Sequence, residues 1–157
     1  MKTLLKLLFA ALLALLSLQA RAQLCTASAT PISFGLYNPQ SSAVTYNTGT
    51  VTVTCQAIIA SLLITYNVQL SAGSSGAYAQ RKMLNGSTTL DYQLYTNSSH
   101  SIVWGDGTSS TQQVTDAYLL QLIGPVSKNY TVYGRLAGSQ NVKAGAYTDT
   151  VTILITY

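Results

Sequence analysis

Tyr147-Thr148-Asp149-Thr150-Val151-Thr152-Ile153-Leu154-Ile155-Thr156-Tyr157 closes the chain and decides how the rest is read. Its alternation is that of a β-strand with one wet face. Val151, Ile153, Ile155 and Tyr157 share one side at period two, whereas Thr148, Thr150, Thr152 and Thr156 share the other, with Leu154 as the apolar intruder. No turn signal or partner segment follows, so at least one neighbour of this strand is expected from upstream or from another molecule.

The same period recurs upstream. Cys25 to Phe34 reads as a first strand broken by Pro31, which cannot donate to a ladder. Asn38-Pro39 and Ser41-Ser42 mark a loop, and Gly49 to Gln56 then alternates cleanly, with Val51, Val53 and Cys55 opposite Thr50, Thr52 and Thr54. Ala57 to Ser71 is longer than a simple strand: Ile58-Ile59-Ala60-Ser61-Leu62-Leu63 precedes the alternating Ile64, Tyr66, Val68 and Leu70. That insert reads either as extra core or as an exposed apolar loop for adhesion, in which Ile58, Ile59 and Leu62 would make the contacts. Arg81 to Leu84 is a short edge piece, Asn85-Gly86 signals a hairpin, and Leu90, Tyr92 and Leu94 resume the two-residue period. Val114 to Ile123 is open between strand and helical turn before Gly124-Pro125 breaks it, and Tyr130 to Leu136 alternates again. About seven strands at turn-punctuated intervals predict an all-β sandwich.

Composition agrees. Thr, Ser, Tyr, Val, Leu and Gly dominate, and Glu is absent, so the best surface residues for helices are missing. Lys2 and Lys6, the uncharged run Leu7 to Ala20 and the small-x-small Ala20-Arg21-Ala22 predict a signal peptide over residues 1–22 and a single domain over 23–157. The uncharged run is too short for a membrane span, and nothing later approaches that length, so the mature chain is expected to be exported without a membrane span. It keeps five basic residues against four Asp, a net charge near +1, which is no Lys/Arg stripe for nucleic acid. Export also places Cys25 and Cys55 where disulfides persist, and bonding them closes a loop of about 30 residues, roughly 3.6 kcal/mol in the chain-entropy view.

Catalysis has little to work with. One His, four Asp and two bonded cysteines supply neither a nucleophile with its base, nor a carboxylate pair, nor a metal cluster. His100 reads as a solvated loop residue in Asn97-Ser98-Ser99-His100-Ser101, and Gly105-Asp106-Gly107 reads as a tight turn rather than a calcium loop. Asp149 is expected to cap a turn or pair with a cation. No enzyme activity, cofactor or metal site is expected. The eleven tyrosines suit sugar or protein surfaces, yet strands use Tyr heavily anyway.

In order along the chain, several stretches resemble the spore coat protein U family, secreted domains that also form subunits of archaic chaperone-usher pili. These are Ile32-Ser33-Phe34-Gly35-Leu36-Tyr37, Gly49-Thr50-Val51-Thr52-Val53-Thr54-Cys55, Leu70-Ser71-Ala72-Gly73 and Leu90-Asp91-Tyr92-Gln93-Leu94-Tyr95-Thr96. Val103-Trp104-Gly105-Asp106-Gly107, Tyr133-Gly134-Arg135 and the ending from Ala144 to Tyr157 continue the likeness. The resemblance implies an immunoglobulin-like sandwich lacking its final strand, with a groove beside the terminal strand. A periplasmic chaperone, and then a neighbouring pilus or coat subunit at an outer-membrane usher, would fill that groove with a donated strand docking along Val151, Ile153, Ile155 and Tyr157. With only Gln23 and Leu24 between the expected cleavage site and Cys25, the chain reads as an acceptor without a donor segment, hence a tip or terminal subunit. The other reading is a free-standing secreted binding domain for carbohydrate or surfaces.

Overall fold

Residues 25–56, 62–120, 124–143 and 145–157 are described by a computed structural model of the protein. The predicted leader, Ile58 and Ile59 lie outside them. Among the described residues eight strands form: β1 (Cys25–Thr30), β2 (Thr45–Cys55), β3 (Leu62–Leu70), β4 (Arg81–Asn85), β5 (Thr88–Tyr95), β6 (Val114–Leu120), β7 (Val126–Leu136) and β8 (Ile153–Thr156). They build a five-stranded sheet of order β1-β2-β7-β5-β4 and a three-stranded sheet of order β6-β3-β8. Every strand pair is antiparallel.

The two-residue period explains the core. Val51, Val53 and Cys55 of β2, Leu90, Tyr92 and Leu94 of β5, and Val132 and Leu136 of β7 face Ile64, Tyr66, Val68 and Leu70 of β3, all buried in one cluster. Each such aliphatic side chain contributes roughly 1.5–3 kcal/mol by leaving water. The Cys25–Cys55 disulfide joins β1 to β2 across a directly paired register position. The hairpin from β4 to β5 turns through Gly86, whose positive φ of 61° suits the tight two-residue loop.

On the other side of the five-stranded sheet, register lays out a grid. Thr50 sits between Thr30 and Thr131, Thr52 between Ser28 and Asn129, and Thr54 between Thr26 and Ser127. Thr52 Oγ1 donates to Asn129 Oδ1 at 2.8 Å, and the Thr54 and Ser127 hydroxyls lie 2.8 Å apart.

Several sequence expectations need correction. The segment from Val114 is a strand through Leu120, because its backbone pairs with β3 from Leu62 to Val68. The terminal stretch is not one strand. Thr148 exchanges both backbone hydrogen bonds with Leu84 at the edge of the five-stranded sheet, whereas Ile153–Thr156 pairs with β3 in the other sheet. Asp149 causes the break: its Oδ1 accepts from the Ser74 N–H (2.8 Å), the Ser74 hydroxyl (2.6 Å) and the Thr150 N–H (2.8 Å), and its Oδ2 accepts from the Tyr92 hydroxyl (2.6 Å). Gly73 makes room for that carboxylate, since a Cβ there would stand 2.2 Å from Oδ2, and its φ of +69° favours glycine as well.

Arg81, in the stretch read as a short edge piece, does lie on the edge strand β4, yet its side chain is fully buried. Its guanidinium donates to the Ser71 carbonyl, the Gln93 side-chain oxygen (2.6 Å) and the Trp104 carbonyl (2.7 Å), and Trp104 Nε1 in turn donates to the Val68 carbonyl. Burial lowers the affinity of this guanidinium for its proton. His100 is not a loosely solvated loop residue either: it packs against the rings of Tyr46, Tyr95 and Tyr133.

Candidate functional site

The terminal stretch forms one wall of an open groove. After β1, Pro31 ends the ladder, and Ile32 and Phe34 pack over the inner face of the five-stranded sheet. Two glycines admit them: a Cβ at Gly49 would stand 2.7 Å from the Ile32 side chain, and one at Gly134 would stand 2.8 Å from the Phe34 ring. Phe34 also meets Tyr92 edge-on at 6.1 Å. Between this segment and Tyr147 to Ile153 lies a cavity of about 450 Å³. Val51, Val132, Leu94, Tyr92 and Met83 contribute to its lining.

Unpaired edges meet at this groove. β1 ends the five-stranded sheet and β8 ends the three-stranded one. Ala27 and Ala29 share the inward face with Cys25 by register, opposite the buried Val53 and Val51, yet both are exposed. Among the described residues nothing covers the inner side of β1 at Ala27 and Ala29.

The residues expected to dock a donated strand divide within this geometry. Val151 and Ile153 line the groove. Ile155 packs against the core without lining the groove, and like Val151 and Ile153 it is half-buried. Tyr157 departs from the expected buried face: the residue is 62% exposed, since it lies past the last ladder pair, and its hydroxyl binds the main chain of Cys25. Leu154 points outward, 53% exposed. Burial raises the affinity of the Tyr92 hydroxyl for its proton, and the hydrogen bond to Asp149 adds to the effect, so this groove-lining phenol stays neutral. Ile58 and Ile59 lie outside the described residues; Leu62 opens β3, with its backbone paired to Leu120.

A family model described as the Spore Coat Protein U domain matches residues 10–154. The chain belongs to this family. It is 34% identical over 135 residues to Protein U of Myxococcus xanthus, covering 80% of this chain and 71% of that protein. Among solved structures it is similar, at 26% identity and a TM-score of 0.55, to a chain of the CsuC-CsuE chaperone-tip adhesion subunit pre-assembly complex from archaic chaperone-usher Csu pili of Acinetobacter baumannii. That match covers 85% of this chain and 39% of that one, so the chain spans well under half of its structural relative.

In this Spore Coat Protein U domain, sequence reasoning missed the second wall of the groove, Ile32 and Phe34. The signal was present: the apolar alternation continues past Pro31, so these side chains keep a common face after the ladder has ended. Among the described residues no group of three His, Cys, Asp or Glu side chains is placed to hold a metal ion, and no helix is long and apolar enough to cross a membrane. Asp106 accepts from the N–H (2.9 Å) and hydroxyl (2.6 Å) of Thr108, which is turn chemistry.

Proposed function

We propose that this chain is a non-enzymatic structural or adhesive subunit of an exported, chaperone-usher-assembled pilus or surface coat, held by a β-strand received from another molecule. The carrying observation is the open groove between Pro31–Phe34 and Tyr147–Ile153, with β1 uncovered on its inner face and β8 at a sheet edge. An incoming strand would gain main-chain hydrogen bonds at such edges, and its alternate side chains would enter the apolar cavity over Val51, Val132 and Leu94. Occupancy would also keep the edges from aggregating. The partners are a periplasmic chaperone in transit, an outer-membrane usher, and a neighbouring subunit in the assembly, which places the chain at a Gram-negative cell surface. Likeness to a chaperone-tip adhesion subunit complex supports this choice of partners.

Co-expression with a candidate chaperone tests the proposal. Recovery as a one-to-one complex is expected; a stable monomer that melts cooperatively when made alone would favour the free-standing secreted binding domain. The acceptor-only, tip or terminal position rests on cleavage after Ala22, and N-terminal sequencing of the exported protein tests it.

An adhesive role is favoured by one observation. Leu63 of β3 and Leu119 of β6 are cross-strand partners, and both are mostly exposed. Leu63 directly follows, in sequence, the apolar stretch holding Ile58, Ile59 and Leu62. An exposed apolar pair continuous with such a stretch fits a hydrophobic surface. Replacing Leu63 and Leu119 with Ser should reduce adhesion to polystyrene without lowering surface levels; unchanged adhesion would end this role.

A further inference from the structure

We propose that the outer face of the five-stranded sheet binds a neutral, hydroxyl-rich polysaccharide, with the ring of Tyr46 as the stacking platform at one end of the hydroxyl grid centred on Thr52. The grid's nine side chains are Thr, Ser or Asn without exception, so none carries charge. Their spacing is fixed by the sheet at roughly 7 Å along a strand and 4.8 Å between strands. Hydroxyls and amides offer both donors and acceptors, and a hydroxyl that donates once still accepts. Such a surface matches an uncharged polyol. An anionic glycan or nucleic acid would need cations that the grid lacks, and a protein partner would need the apolar centre that specific interfaces bury.

The aromatic end is built rather than incidental. By register Tyr133 of β7 lies between Thr48 of β2 and Tyr95 of β5, and Tyr46 lies one step further along β2. His100 leans across these strands, 4.5 Å from the Tyr46 ring centre, 5.3 Å from Tyr95 and 6.1 Å from Tyr133. It reaches there in a left-handed conformation, φ 53°, that a residue with a side chain rarely adopts. The Asn97 side chain holds the loop, donating to the hydroxyls of Ser99 and Ser101 and accepting from the N–H groups of Ser101 and Ile102. Tyr46 keeps 56% of its surface exposed despite these contacts. An exposed ring braced from one side presents an apolar body with a polar tip, the shape that sugar rings stack upon. Arg135, the register neighbour of Tyr46, is a cation just past the grid, so neutral and anionic glycans must be compared directly.

Affinity electrophoresis tests the face. The exported protein, in the complex in which it is recovered and with the partner alone as blank, is run through gels cast with dextran, galactomannan or hydroxyethyl cellulose, and through alginate gels. Retardation is expected in at least one neutral gel and not in alginate. Tyr46→Ala and Thr52→Lys, both on the exposed face, should each weaken it at least ten-fold while yield is kept. No retardation in all three neutral gels, stronger retardation in alginate, or full retardation of both variants would overturn the assignment. A concentration-dependent dimer abolished by Thr52→Lys would overturn it too, giving the face to a second copy of the chain.

Discussion

Tyr157 is clasped to Cys25: its hydroxyl accepts from the Cys25 N–H at 2.9 Å and donates to the Cys25 carbonyl at 3.3 Å, across 132 residues of sequence. Tyr157→Phe keeps the ring and removes both bonds. A loss of about 1 kcal/mol is expected, since the contact is partly exposed, read as a lower denaturation midpoint of the chaperone-free, strand-complemented protein. An unchanged midpoint would mean that water replaces the clasp at no cost.

The two faces of the terminal strand should respond oppositely to charge. Val151→Asp or Ile153→Asp puts a carboxylate into the groove wall beside the core and should abolish export or assembly. Leu154→Asp, on the exposed side and next to Ile153 in sequence, should leave surface levels near normal. Quantitative immunoblotting of surface fractions separates them, and normal levels of the Val151 variant would contradict the face assignment.

Removing the Asp149 carboxylate should loosen the groove from its far end. Asp149→Ala strands the Ser74 N–H and the Tyr92 hydroxyl, and a cost of about 2 kcal/mol is expected for hydrogen bonds to a charged acceptor. Hydrogen exchange should rise at Ser74 and Thr150 first.

Arg81→Ala is expected to be among the most damaging single changes, about 3 kcal/mol or more. It leaves the buried Gln93 side chain and the Trp104 carbonyl short of a donor and opens a void beside Trp104. Urea unfolding gives the value, and a cost under 1 kcal/mol would show that water fills the site.

Acid should weaken the fold through Asp116. Burial pushes its carboxyl up, but hydrogen bonds from Lys128 (2.7 Å), Tyr130 (2.8 Å) and the Ala117 N–H outweigh burial and hold it below the ordinary 3.8. A depressed carboxylate stabilises the folded state above its unfolded value, and that contribution fades as pH falls through the folded value. Stability should therefore drop below about pH 4, and Asp116→Asn should flatten that limb in urea titrations from pH 6 to pH 2. Asp106, also depressed, by the Thr108 hydroxyl and N–H, leaves a residual slope.

Periodicity carried most of the core, because alternation is a local property. Val51, Val53 and Cys55, or Ile64, Tyr66, Val68 and Leu70, need only a sheet to sort them. What escaped depends on distant partners. The break in the terminal stretch is set by Ser74 and Tyr92, 75 and 57 residues from Asp149. Arg81 is buried only because Ser71, Gln93 and Trp104 converge on it, and His100 finds its tyrosines on three separate strands. Half of the groove was legible for the same reason: Val151 and Ile153 declare themselves by period, whereas Ile32 and Phe34 need Gly49 and Gly134 to make room.

The clasp at Cys25 also sets a route for mechanical load. β8 is held to its own sheet by four residue pairs, a short ladder to resist sliding. Through Tyr157 it is tied to Cys25, and through the disulfide to β2, which runs beside β7 for eleven pairs. Tension entering at the carboxyl end thus reaches the eleven-pair β2–β7 ladder through the disulfide and the six β1–β2 pairs together, and reduction of the disulfide would leave those six pairs alone to carry the load into β2.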